Sequence, residues 1–304
     1  MRKDLLNYNL LKKERKLSLI IVFILFFTLS ISSLASNSTN ERYIASFNIL
    51  RLGASEKDMV QTAKLLQGFD LVGLVEVINK EGIEDLVDEL NRQSPNTWDY
   101  HISPFGVGSS KYKEYFGYVY KKDKVKFIKS EGFYKNGKSS LLREPYGATF
   151  QIGNFDFTFV LVHTIYGNNE AQRKAENFKM VDVYDYFQDR DKKENDIFIA
   201  GDFNLYALDE SFKPLYKHSD KITYAIDPAI KTTIGTKGRA NSYDNFFFSQ
   251  KYSQEFTGSS GALDFSGDNP KLMREIISDH IPVFIVVETS KAKDDDWWKL
   301  LIYF

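Results

Sequence analysis

Six short strand-like runs in this chain each end in polar residues of the kind that metals and phosphates require. They are FNI with Asn48, LVEV with Glu76, LVHT with His163, GDFN with Asp202 and Asn204, YDN with Asp244, and SDHIPV with Asp279 and His280. One such ending is ordinary, because strands stop at the surface, where carboxylates are solvated. Six of them, with acids and imidazoles together, point to sheet edges converging on one catalytic floor. GDFN is the sharpest local signal. Side chains two apart on a strand face the same way, so Asp202 and Asn204 are expected to grip one oxygen-rich target. Hard cations such as magnesium and calcium take carboxylate and carbonyl oxygens. Glu76 closes a nearly all-apolar run and is costly to bury without a cation or donor, so it reads as a metal ligand rather than half of a structural salt bridge. Only four histidines are present, and two of them, His163 and His280, stand at strand ends beside these motifs. His101 and His218 read as structural imidazoles.

The elements that must position these residues alternate in type. RYIASFNIL is a short β-branched and aromatic strand ending at Asn48; a helix is expected from Lys57 to Gln67, stopped by Gly68. DLVGLVEV reads as a strand covered on both faces. A second helix runs from Glu81 to Gln93, with Ile83, Leu86, Val87 and Leu90 on one face and Pro95 beyond its end. The middle is strand-rich: YFGYVYKK, VKFIKS, GATFQIG and DFTFVLVHT, with Gly153–Asn154 as a hairpin turn. Asn169 to Gln188 is the longest helical pattern, with Ala171, Ala175, Phe178, Val181, Tyr184 and Phe187 spaced by threes and fours. A short helix near Ser211 to Tyr216 and strands in SYDNFFFS and IPVFIVVE complete the set. Hairpins with helices between groups of them argue for two sheets packed face to face with helices outside.

Composition sets the compartment and the charge. Residues 1–35 have a basic start, the apolar run LSLIIVFILFFTLSIS, and small residues ending at Ala35, which describes a secretory signal peptide cleaved near Ala35. The run is short for a spanning helix, which needs about 20 apolar residues. With no cysteine there is neither a disulfide nor a lipid-anchoring thiol, so the expectation is a secreted or periplasmic bacterial protein held by its core. Beyond the leader, 34 basic and 39 acidic residues remain, a net charge of −5. Such a chain has no global field for a polyanion, so phosphates must be held by local basic residues and metal. Residues 36–288 read as one domain. Residues 289–304, with WWKLLIYF, form a tail whose role is open, and membrane contact is expected only through an uncleaved leader or this tail. No protein partner is implied, and a monomer is expected.

GDFN with SDHIPV, preceded by FNI, LVEV and LVHT, resembles the endonuclease/exonuclease/phosphatase superfamily. Within it the similarity is to deoxyribonuclease I, carried by KYKEYFGYVYKKDKV with Tyr112 and Glu114, by SPNTWDYHISPFG, and by REP at Arg143 to Pro145. The resemblance spans about Tyr43 to Glu288 and implies a four-layered α/β sandwich, two mixed β-sheets flanked by helices, with the site in the crevice between the sheets. It pairs Glu114 with His163 and Asp244 with His280, each carboxylate orienting its imidazole. In that scheme His280 takes a proton from the attacking water and His163 protonates the leaving 3′-oxygen, and the sequence leaves these roles interchangeable. Glu76, with Asn48, Asp202, Asn204 and Asp279 near it, would hold magnesium or manganese. Arg143 would grip the scissile phosphate and Tyr112 would lie against a deoxyribose. Calcium often supports loops in this family, although no calcium loop is legible in this chain.

Three departures from the family pattern bear on substrate. Ile78 stands where relatives insert an Arg into the groove, Asn245 follows Asp244 where an Arg is usual, and the disulfide cysteines are absent. Arg51, near Asn48, could compensate for the first two. The reading is a secreted, metal-dependent DNA endonuclease of low sequence specificity. The alternatives are a sphingomyelinase or inositol-phosphate phosphatase of the same superfamily and, from another class, an inactive secreted binding module.

Overall fold

The computed structural model describes residues 40–135, 141–190 and 195–290. The expected signal peptide and most of the tail, including WWKLLIYF, lie outside them. Two mixed sheets form the body from residue 41 onward. The first runs β14 (Phe256–Ala262), β15 (Val283–Glu288), β1 (Glu41–Leu52), β2 (Leu71–Val77), β5 (Lys113–Lys121) and β3 (Trp98–Ile102), with the short β4 (Val107–Gly108) also on β5. The second runs β10 (Ile222–Tyr224), β13 (Asp244–Ser249), β9 (Ile197–Asp202), β8 (Phe155–His163), β7 (Tyr146–Ile152) and β6 (Val125–Phe133). Each sheet contains one parallel pair, β1 with β2 and β8 with β9, among antiparallel neighbours.

Three apolar layers hold the sandwich together. Between the sheets lie Phe116, Tyr118, Phe150, Phe157, Phe159 and Phe246, with Ile44 and Ile285 facing them. Gly73 lets the sheets approach closely, since a Cβ there would stand 2.5 Å from Leu161 Cδ2. Outside the first sheet, α1 (Met59–Leu66) and α2 (Lys80–Gln93) bury Ala63, Leu66, Ile83, Leu86 and Leu90. Outside the second, α4 (Met180–Gln188) buries Met180, Val183, Tyr184 and Phe187. The four-layered α/β sandwich expected from the sequence is the observed fold.

The expected helix over Asn169 to Gln188 is two helices, α3 (Glu170–Asn177) and α4. In the first, Ala171, Ala175 and Phe178 face solvent, and the buried side chains are Glu176 and Asn177. The reason is polar: Glu176 accepts the backbone N–H of Leu142 at 2.6 Å and of Ile165 at 2.7 Å, and Asn177 Nδ2 donates to the Phe203 carbonyl at 2.8 Å. Those bonds turn the polar side of α3 inward and break the run. Helix α1 exposes Val60 and buries Thr62, Ala63, Leu65 and Leu66. The short helix expected near Ser211 to Tyr216 is α5 (Lys213–Tyr216). The sequence reading missed strands β3, β4, β10 and β14, the two-stranded ribbon of β11 (Ile234–Gly235) and β12 (Gly238–Arg239), and helix α6 (Pro270–Ile276), although Asn269 and Pro270 are a good N-cap and first residue for α6.

Candidate active site

Strand register assembles half of the site. His163 closes β8, directly beside Asp202 on β9, which in turn pairs with Asp244 at the start of β13. Three adjacent strand ends thus place an imidazole and two carboxylates in one row. Gly201 makes the approach possible, because at φ +146° a Cβ there would sit 1.8 Å from the Val162 carbonyl oxygen. The chain then leaves the strand, with Asn204 at φ +52°. The expected two-residue periodicity from Asp202 to Asn204 therefore does not apply: Asn204 reaches the same cavity through a left-handed turn. Its N–H donates to Asp202 Oδ1 at 2.9 Å and its Nδ2 to the Thr164 carbonyl at 2.9 Å.

The other half comes from the first sheet. β1 does not end at Asn48 as expected but continues past a register shift to Leu52, beside its parallel neighbour β2, whose last residue but one is Glu76; His280 stands just before β15. Ser278 links them, its Oγ donating to the Asn48 carbonyl at 2.7 Å and accepting the His280 N–H at 3.1 Å. Glu76 has φ +63°, an uncommon conformation for a residue with a side chain. Arg51, Glu76, Tyr112, Arg143, His163, Asp202, Asn204, Asp279 and His280 all line one cavity of about 530 Å³, of which Glu114 and Asp244 form the buried backing. Residues from both sheets therefore meet in the crevice.

Each imidazole is held by a carboxylate. His163 Nδ1 lies 2.7 Å from Glu114 Oε1 and His280 Nδ1 lies 2.8 Å from Asp244 Oδ2. The opposite ring nitrogens converge, His163 Nε2 at 3.6 Å and His280 Nε2 at 3.4 Å from the same oxygen, Asp202 Oδ2. Thr232 completes the second pair by donating to Asp244 Oδ2 at 2.7 Å. Burial disfavours the charged ring at His280, but Asp244 and then Asp202 outweigh it and push its pKa up to about 10. His163 is also raised: burial and the Arg143 charge oppose protonation, while Glu114 and Asp202 favour it. Burial would raise Asp202 and Glu114, yet His280 and His163 hold Asp202 below the usual carboxylate range. His163 and Arg143 do the same for Glu114. Asp244 goes the other way, pushed up to about 6 by burial with the Asp202 charge adding to it. Between those two values the Asp244–His280 pair is a carboxylate beside an imidazolium.

Glu114 also accepts the Glu76 N–H at 3.3 Å, and its second oxygen lies 2.9 Å from Arg143 Nε. Arg143 NH1 donates to the His163 carbonyl at 3.4 Å. Tyr112 donates its hydroxyl to Glu76 Oε2 at 3.2 Å, and the guanidinium carbons of Arg51 and Arg143 each stand 5.9 Å from its ring centre. Arg51 further donates its backbone N–H to Glu76 Oε2 at 3.2 Å.

Among the described residues, the group of three acidic or imidazole side chains with donor atoms within 4.8 Å of one another is Asp202, Asp244 and His280. Proximity would let these hold a cation, but both His280 nitrogens already face carboxylates, so the imidazole is engaged on both sides. The oxygen-rich alternative is Glu76 with Asp202. Asn48 joins them, Nδ2 donating to Glu76 Oε1 at 3.0 Å and to Asp202 Oδ2 at 3.2 Å. A magnesium-like ion needs only one or two carboxylates, with water and substrate phosphate completing its shell, and this donor set fits it. Two of the expected ligands are engaged elsewhere. Asn48 turns its nitrogen inward while its Oδ1 accepts the Leu50 N–H at 3.1 Å, and Asp279 is held 3.2 Å from Arg274 NH2.

His101 and His218 are structural, as expected: His101 stacks on Phe127 at 4.3 Å and bonds Tyr146, and His218 pairs with Asp185. Asn245, at the position where an Arg would extend the site, is buried instead and exchanges hydrogen bonds with the Ile226 backbone. The sequence reading missed Glu176, Thr232, Ser278, Tyr166, Tyr243 and Arg274. For Arg274 the signal was the capped start of α6, and for Tyr243 its place next to Asp244.

No protein-family model matches the chain. A deoxyribonuclease of Thioalkalivibrio sp. (strain K90mix) is 27% identical over 288 residues, which span 88% of this chain and 77% of that protein. Deoxyribonuclease-1 of Bos taurus is 25% identical over 267 residues, 80% of this chain and 91% of the relative. Among solved structures, an endonuclease/exonuclease/phosphatase from Bacteroides vulgatus superposes with a TM-score of 0.57 at 17% identity, covering 82% of this chain and 99% of that one, a likeness that bears on the fold.

Proposed function

We propose that the chain is a member of the endonuclease/exonuclease/phosphatase superfamily, a hydrolase of phosphodiester bonds, and specifically an exported, metal-dependent endonuclease acting on DNA with low sequence preference. The observation that carries the proposal is the pair of carboxylate-backed imidazoles whose Nε2 atoms flank one oxygen of Asp202. One ring accepts the proton of the attacking water and the other donates a proton to the leaving oxygen, an arrangement suited to breaking a P–O ester bond. Export rests on the leader over residues 1–35, and the protein acts as a monomer.

Glu114 and Asp244 fix their imidazoles with Nδ1–H pointing at the carboxylate, so that Nε2 is the atom that exchanges protons. Glu76 and Asp202 would hold a divalent cation, which stabilises charge growing on the phosphoryl oxygens. Arg143 and Arg51 bring local positive charge to the cavity of a protein whose net charge without its leader is −5, and they orient the phosphate. Asn204, anchored to Thr164, presents its amide beside them.

Purified protein should nick supercoiled plasmid with magnesium and stop on addition of EDTA. His163→Ala and His280→Ala should each lose about 10²–10⁴ in rate, the usual contribution of one positioned acid or base. Full activity of either variant overturns the mechanism. Phosphocholine release from sphingomyelin with plasmid left intact would move the chain to the phospholipid branch of the superfamily.

A further inference from the structure

The wall of the cavity built by the second sheet carries a side-chain group that the acid–base chemistry leaves unused. Tyr166 lies three residues after His163, in the loop that leaves β8; it lines the same cavity and is 62% exposed. The ring is nonetheless held. Arg173, on α3, places its guanidinium carbon 4.8 Å from the ring centre. Its NH1 donates to the Tyr243 hydroxyl at 3.5 Å, and Tyr243 lines the cavity next to Asp244. Arg173 Nε is shielded from solvent with no hydrogen-bond acceptor among the described residues. The loop itself is pinned from below by the Glu176 carboxylate on the Ile165 N–H. Tyr112, on the opposite wall, differs: it is half-buried and its hydroxyl is bound to Glu76.

An aromatic ring backed on one side by a guanidinium and exposed on the other offers a flat surface to another π-face. Phosphates and sugars have no such face, whereas nucleobases do. In a duplex both faces of each base are covered by its neighbours, so a ring at the catalytic floor can stack only on a base that has left the stack or never entered one. Stacking also needs no electrostatic field, which suits a chain with more acidic than basic residues. We propose that Tyr166, backed by Arg173 and Tyr243, is a stacking platform for an unstacked nucleobase next to the scissile phosphate, which makes single-stranded DNA the favoured substrate class. The proposal rests on the phosphodiesterase reading of this cavity and narrows it.

Equilibrium binding in EDTA tests the platform apart from catalysis. The probes are a single-stranded oligonucleotide carrying 2-aminopurine, whose fluorescence falls on stacking, and its duplex. The full-length protein should bind the single strand with quenching. Tyr166→Ala should weaken that binding about tenfold or more and relieve the quenching, while Tyr166→Phe keeps both, since loss of one base–aromatic stack has this size. In hydrolysis with magnesium, the ratio of single-strand to duplex kcat/KM should fall about tenfold in Tyr166→Ala. Equal affinity of wild type and Tyr166→Ala for the single strand, or an equal loss on duplex, overturns the platform even if DNA is cleaved. A quenched complex lost in Tyr166→Ala, without hydrolysis by the wild type, keeps the platform and overturns the nuclease reading.

Discussion

Asp244→Asn removes one negative charge from the site and keeps the volume of the side chain. Asp244 Oδ2 accepts from both His280 Nδ1 at 2.8 Å and Thr232 Oγ1 at 2.7 Å, and an amide oxygen in its place accepts from both without the negative charge, while nothing prevents the amide from flipping its NH2 toward them. Raising His280 from 6.5 to about 10 corresponds to roughly 5 kcal/mol in favour of the charged ring. Asp244 supplies the largest favourable part and Asp202 the next. Its loss therefore removes the largest contribution that favours the imidazolium. Loss of the oriented Nδ1–H adds to this, and exchanging the carboxylate behind a catalytic imidazole for its amide costs about 10⁴ in kcat where no second carboxylate helps. Asp202 does help here, at 3.4 Å from Nε2, so the expected loss in plasmid nicking is about 10²–10⁴. Stability should follow with a defined sign. A histidine raised in the folded state stabilises fully below its unfolded value of 6.5, and that stabilisation is lost as pH rises through about 10. Above about pH 6 the buried Asp244 carboxylate itself opposes folding, a cost the Asn variant lacks. In urea unfolding with EDTA, wild type should therefore exceed the variant by less than about 5 kcal/mol at pH 7, with the gap closing toward pH 10. A variant within tenfold of wild-type activity, or a gap that is flat from pH 7 to pH 10, would refute the pairing.

The remaining predictions concern the parts that hold the site. Glu76→Gln should raise the magnesium concentration for half-maximal activity at least about tenfold, read by metal titration, because one charged oxygen donor is lost from a sparse set. Gly201→Ala places a Cβ 1.8 Å from the Val162 oxygen at φ +146°, and it should cost more than about 2 kcal/mol in chemical denaturation. Glu176→Ala frees the N–H groups of Leu142 and Ile165, next to Arg143 and two residues after His163. It should destabilise the protein by about 1–3 kcal/mol and lower kcat, with bound Arg143 and His163 geometry loosened in NMR spectra of the imidazole.

The legible part of this protein was the part in which one residue type must end one strand. Asn48, Glu76, His163, Asp202, Asp244 and His280 could be read from strand patterns because a polar group after an apolar run is improbable without a reason, and the structure brings all six to one crevice. The partner of each imidazole was not legible from pattern. Glu114 is the second residue of β5, 49 residues before His163, and only family resemblance singled it out. What escaped altogether was polar burial inside helices. Hydrophobic periodicity assumes that the inner face of a helix is apolar, and it therefore placed Ala171, Ala175 and Phe178 inward over α3. Glu176 and Asn177 reverse that face because each satisfies backbone groups of a loop leaving the site: Leu142, Ile165 and Phe203. Turns that must be rigid but have no regular hydrogen bonds of their own need such donors and acceptors from elsewhere. The anomaly in the helix is thus the counterpart of the irregular loops that carry Arg143, Tyr166 and Asn204. A helix that turns its polar side inward beside a candidate site, against an unbroken apolar period, marks where the site is fastened.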